Sequence, residues 1–116
     1  MRIFYVYDNK KKELKEMNAH ESVNEMNVFY QIIGCDLVEM PYLNHGISIV
    51  CDEEGLLKNP SDINQIRDLS TGNTLDITGK LIFISTNDEG ETVGLNQEQI
   101  GYLKEEIEIT TLQVNM

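Results

Sequence analysis

The run KLIFIST at residues 80–86 constrains the fold more than any other stretch. It is rich in β-branched and apolar residues and bounded by Gly79 and by Asn87-Asp88-Glu89-Gly90, so it predicts a strand. It is apolar enough to be the central strand of a sheet. RIFYVY at 2–7 and ISIVC at 47–51 are likewise dense in β-branched, aromatic or apolar residues and predict further strands. The turn-formers DNKK follow the first of these, and KELKEMN can return as its partner, giving an N-terminal hairpin over 1–18.

Helical spacing is clearest at about 22–33, SVNEMNVFYQII. Val23, Met26, Phe29, Tyr30 and Ile33 share one face at 3-and-4 spacing. Ser22 and Glu25 fit a capping box, and Gly34 stands where a helix stops. A second helix is predicted at about 97–106, capped by Asn96 with Gln99 at the capping-box position, and with Ile100, Leu103 and Ile107 on one face. Between the helices, DLVEM (36–40) reads as a strand and PYLNHG (41–46) as a loop with tight-turn chemistry at Asn44-His45-Gly46. Residues 56–78 are polar and turn-rich. Within them Ser61 can cap a short helix through DINQIRDL, with Ile63, Ile66 and Leu69 facing inward. ETVGL (91–95) reads as a short extended piece, and the alternation in EIEITTLQV predicts a closing strand.

Hairpin-length links between strands and helices put the chain in the α+β class, with a mixed or mostly antiparallel sheet and two main helices. With 116 residues it makes a single domain around one core.

Charge narrows the partners. Nine basic and twenty acidic residues give a net −11, unevenly placed. Residues 1–20 carry +2 and the remainder −13. Such a body repels phosphate backbones, so direct DNA binding is not expected, whereas a basic protein surface would attract it. No apolar run approaches the roughly 18–20 residues of a membrane span, and no positively charged start leads into an apolar segment. A cytoplasmic protein with reduced thiols is the expectation.

Motifs for catalysis or metal binding fail on spacing. Cys35, Cys51, His20 and His45 make neither C-x-x-C nor H-x-x-x-H, as zinc sites do. Cys51 could serve as a nucleophile only with His45 as base, yet the predicted strand 47–51 puts the two at opposite ends. A calcium loop starting at Asp52 would need an oxygen ligand where Leu56 stands and a glutamate where Ile63 stands. One starting at Asp88 would need glycine where Val93 stands. The glycines form no phosphate-binding loop, and no serine lies in G-x-S-x-G. No enzyme, no catalytic residue, no metal and no cofactor is expected. The carboxylates Asp52, Glu53 and Glu54 and those of Asp88, Glu89 and Glu91 then read as two acidic turns, expected at one end of the sheet and available to a basic partner.

VFYQIIGCDLVEM, ISIVCDEEGLLKNPSDIN and DITGKLIFIST together resemble a small domain of unknown function found in phages, plasmids and conjugative elements. The matching positions are Gly34, Cys51, Asp52, Glu53, Glu54, Gly55, Leu57, Lys58, Pro60, Asn64, Ile77, Gly79 and the strand Leu81–Ile84, followed by the helix entry LNQEQI. The resemblance spans a core of about 22–103, within which residues 61–77 are longer than the pattern. It implies a genomic setting. Small acidic proteins of mobile elements often block host defence proteins, as anti-CRISPR and anti-restriction factors do. It implies an inhibitor of a host nuclease, with a type II CRISPR effector (Cas9) as the specific expectation, acting in the bacterial cytoplasm by nucleic-acid mimicry. The alternative is a structural or regulatory module of the element, monomeric or homodimeric through ETVGL or EITTLQV.

Overall fold

The computed structural model describes residues 1–21 and 23–114. In chain order its elements are β1 (Arg2–Asp8), β2 (Glu13–Ala19), α1 (Glu25–Ile33), β3 (Val38–Glu39), β4 (Tyr42–Asn44) and β5 (Ile47–Asp52). A 3-10 turn (Gly55–Lys58), β6 (Asp62–Asp68), β7 (Thr74–Ile77), β8 (Leu81–Thr86), β9 (Thr92–Val93), α2 (Gln97–Glu106) and β10 (Ile107–Gln113) complete it. The larger sheet has the order β2-β1-β8-β5-β3, with β4 on β5 and β9 on β8. The smaller sheet has the order β10-β6-β7. All pairings among the described residues are antiparallel. The α+β class expected from the sequence is the observed one.

β8 is central because both of its faces are covered. Leu81 through Ser85 are all buried, and so are Ile47 through Cys51 on the neighbouring β5. One face carries Phe4, Val50, Ile82 and Ile84 against Phe29, Met26, Ile32 and Ile33 of α1. The other carries Tyr5, Tyr7, Ile47, Ile49, Leu81 and Phe83 against Ile66 of β6 and Ile100 and Leu103 of α2. The domain is therefore three layers, with α1 on one side of the large sheet and the small sheet plus α2 on the other. Phe4 and Phe29 meet edge-on at 5.5 Å between ring centroids, a favourable quadrupole arrangement at the centre of the α1 layer.

Both helices form, and their ends show why. At α2, Asn96 Oδ1 accepts from Gln99 N at 2.8 Å while Gln99 Oε1 accepts from Asn96 N at 2.9 Å, the capping box expected from the sequence. α1 begins three residues later than expected, at Glu25. Asn24 is its cap, with Oδ1 accepting from Met26 N at 3.1 Å. Ser22, the cap expected from the sequence, lies outside the described residues. Val23 precedes the helix and is exposed, and Ile32, not Tyr30, joins the buried face. Gly34 ends α1 at φ +77°, its N–H bonded to Tyr30 O.

Three further expectations need correcting. DINQIRDL is not a helix: residues 62–68 are β6, paired along their length with β10 and, over 64–67, with β7. Every second residue of β6 is buried, namely Asp62, Asn64, Ile66 and Asp68, while Leu69 lies beyond it and is exposed. The strand 36–40 shrinks to Val38–Glu39, opposite Asp52 and Cys51. The loop 41–46 contains β4, which continues the same edge after Pro41, whose carbonyl accepts from Ile49 N at 2.9 Å.

Candidate functional site

The two acidic turns leave the large sheet at opposite ends, not at one. β5 and β8 are antiparallel neighbours, with Ile47 opposite Ser85 and Val50 opposite Ile82. The chain therefore leaves β5 at Asp52 beside the start of β8, and leaves β8 at Thr86 beside the start of β5. A six-residue strand separates the turns by about 20 Å. Asp52, Glu53 and Glu54 are not brought together with Asp88, Glu89 and Glu91.

The 87–91 turn is organised by Asn87. Its Oδ1 accepts from Glu89 N at 3.0 Å and Glu91 N at 2.9 Å, and its Nδ2 donates to Glu91 Oε1 at 3.2 Å. Its carbonyl accepts from Gly90 N, and Gly90 takes φ +79°. The Asn87 side-chain bond holds the Glu91 carboxyl below its usual range. Asp88, Glu89 and Glu91 are exposed and carry no ion pair among the described residues. Thr86 N reaches Gly46 O, so the Asn44-His45-Gly46 turn lies alongside. Glu98, exposed on the first turn of α2 beside His45, adds a carboxylate to the same end.

At the other end Asp52 is committed to an internal bond. Its Oδ1 accepts from Glu54 N at 2.9 Å and its Oδ2 takes Lys58 Nζ at 2.7 Å, a bond that raises the Lys58 pKa. The 3-10 turn that ends at Lys58 is pressed onto Thr78, in the link between β7 and β8. Gly55 is buried, and a Cβ there would overlap the Thr78 hydroxyl. Leu56 and Leu57 point outward, 65% and 80% exposed. Beside this turn lies a cleft of about 400 Å³ lined by Lys10, Gly34, Gly55, Lys58, Pro60 and Gly79, among others. Six of its twelve lining residues, Asp52 among them, are positions that carry the sequence resemblance, and Asp52 and Asp62 add carboxylates to its wall.

A third cluster was not anticipated from the sequence. Asp68, 2% exposed, accepts from Tyr102 Oη at 2.6 and 2.7 Å, from Ser70 Oγ at 2.7 Å and from Asn44 Nδ2 at 3.1 Å. Burial pushes its carboxyl up, but the bonds from Tyr102, Ser70 and Asn44 outweigh that and hold it at about 2. The His45 ring lies against Tyr102, tilted by 53° at 4.3 Å between centroids, and Gln99 Nε2 donates to His45 O and Ser85 Oγ. This network ties the end of β6 and the 44–46 turn to α2. No alternation marks it in the sequence, because the polar residues of 62–68 fall on both faces of the strand.

The thiols sit as structural groups. Burial, with Glu39 beside it, pushes Cys51 up to about 12, and its Sγ contacts Glu39 O and Oε1 at 3.8 Å. His45 lies at the far end of β5, as expected. Among the described residues no three His, Cys, Asp or Glu side chains are grouped as metal ligands, and no helix is long and apolar enough to cross a membrane. The two strands considered for dimerisation are each already hydrogen-bonded on one edge, β9 to β8 and β10 to β6.

No curated protein and no solved structure matches the chain. A family does, over residues 1–108, which takes in the N-terminal hairpin as well as the stretch that carries the sequence resemblance. The chain belongs to the DUF3846 family, a domain of unknown function.

Proposed function

We propose that this protein works by binding a basic surface of another protein, with no chemistry of its own, and that it is a mobile-element inhibitor of a host nuclease of the Cas9 type. The observation that supports this most is the 87–91 turn. It presents Asp88, Glu89 and Glu91 on a loop already locked by Asn87, so little ordering cost remains on binding. Unpaired, exposed carboxylates on a rigid turn suit arginines and lysines that otherwise hold phosphates. Three observations favour a binder over an enzyme. Cys51 is held protonated, His45 is remote from it, and the Asp68 carboxylate is saturated with donors.

Asp52 contributes little to such a contact because Lys58 already neutralises it, which leaves Glu53 and Glu54 as the free charges of that turn. The test is DNA cleavage by guide-loaded Cas9 with increasing amounts of the protein. Inhibition by the wild type that is lost in Asp88→Lys/Glu89→Lys supports the reading. Unchanged cleavage at every ratio, at low salt and across a panel of effectors, rules it out.

A further inference from the structure

The end of the sheet that carries the CDEEGLLK motif is divided by charge. Across that end, in strand order, stand Lys10, Lys11 and Lys12 in the β1–β2 turn, Lys80 before β8, Glu53 and Glu54 after β5, and Asp36 before β3. From β1 to β3 is three strand spacings, roughly 14 Å. Lys10, Lys11 and Lys12 are thus more than a Debye length of about 8 Å from Asp36, whereas Lys80 and Glu53 border adjacent strands, roughly 5 Å apart, so the charge grades from positive to negative along the row. Asp8 lies among the lysines, its carboxylate capping the backbone N–H groups of Lys10 and Lys11. None of the four lysines and none of Asp36, Glu53 and Glu54 has an ion pair among the described residues. On the acidic flank Leu56 and Leu57 project from the 3-10 turn, and Leu37, half exposed, has its carbonyl bonded to Glu53 N. Next to the leucines is the cleft of about 400 Å³, with Lys10 on its wall.

We propose that this end is a two-fold interface between two copies of the chain, each seating Leu56 and Leu57 in the cleft of the other. A surface with one sign of charge would call for a partner of the opposite sign. Here a positive flank adjoins a negative one that also carries an apolar projection, with a cleft beside the projection. A two-fold axis through the row sets the lysines of each copy against the carboxylates of the other, and each leucine pair against a cleft. A projection and its receptacle on the same surface are what self-complementarity requires. Exposed consecutive leucines are otherwise a liability for a soluble chain. Gly55, packed closely on Thr78, anchors the start of the turn that carries them. The contact leaves the 87–91 turn at the far end free, and it stands whether or not a nuclease is the target.

Sedimentation equilibrium of the purified full chain over the micromolar range tests this. The weight-average mass of the wild type should rise with concentration from 13.3 kDa toward twice that value. Leu57→Glu, at a position 80% exposed and so without cost to the fold, should raise the dissociation constant at least about tenfold with an unchanged melting curve. Reversing the lysine flank (Lys10→Glu, Lys11→Glu and Lys12→Glu) should weaken the dimer. Adding Glu53→Lys and Glu54→Lys to that variant should restore it, which a merely structural role for these side chains would not do. A wild type that stays monomeric at every concentration overturns the proposal. So does a dimer indifferent to Leu57→Glu, or a swap that restores nothing.

Discussion

Asp68 shows how a buried charge can be held without a cation. Tyr102, Ser70 and Asn44 supply neutral donors, and together they more than offset desolvation. Its folded pKa of about 2 lies below the ordinary 3.8, so the group stabilises the fold above pH of about 4, and that contribution disappears as pH falls toward 2. The difference amounts to about 1–2 kcal/mol once partial solvent screening is allowed for. Urea unfolding of wild type and Asp68→Asn at neutral pH and near pH 2 measures it. The gap between the two proteins should be large at neutral pH and narrow in acid, and a gap that does not change with pH contradicts the assignment.

Gly55 is a second residue whose identity has one physical cause. Gly55→Ala should destabilise by about 1–3 kcal/mol, the cost of forcing a methyl against Thr78. Thr78→Ala in the same chain removes the hydroxyl and should recover part of the loss. If the double variant is no better than the single one, the clash is not the cause.

Among the elements, those legible in the sequence were the ones whose local signals agreed with their burial. β8 and β5 are covered on both faces and read as unbroken apolar runs. α2 carries its capping box in the chain, and Asn96→Ala should cost about 1 kcal/mol of unfolding free energy, read from the shift in chemical denaturation midpoint. β6 was illegible because its buried positions are Asp62, Asn64, Ile66 and Asp68, three of them polar, so no hydrophobic alternation exists to find. What makes it a strand is tertiary. Asn64, fully buried, donates to Gly79 O and accepts from Thr111 Oγ1, which in turn bonds Tyr7 Oη. Helical spacing of Ile63, Ile66 and Leu69 is a coincidence of a strand with the exposed leucine that follows it. The acidic turns were legible as turns, but their placement was not. Which end of the sheet each one leaves depends on β5 and β8 being antiparallel neighbours, and no local pattern encodes that pairing.

At the scale of the whole molecule, the net charge of −11 conceals a division. The turns at the two ends of the sheet lie about 20 Å apart, more than two Debye lengths at physiological salt, so a partner docking at one end is largely screened from the other. The end with Asp88, Glu89, Glu91 and Glu98 presents carboxylates. The opposite end presents lysines on one flank and carboxylates with exposed leucines on the other. Average charge therefore predicts which partners are repelled at long range, while local charge decides what docks where. Under the two proposals, the carboxylate end faces a nuclease and the mixed end faces a second copy.

Whether the carboxylate end is a docking surface is decided by the rate at which this protein associates with guide-loaded Cas9, followed over a range of ionic strength. Association should slow steeply as salt rises, with a shallower dependence for Asp88→Lys/Glu89→Lys. No association at low salt, or association indifferent both to salt and to those two substitutions, would contradict the nuclease-binding role.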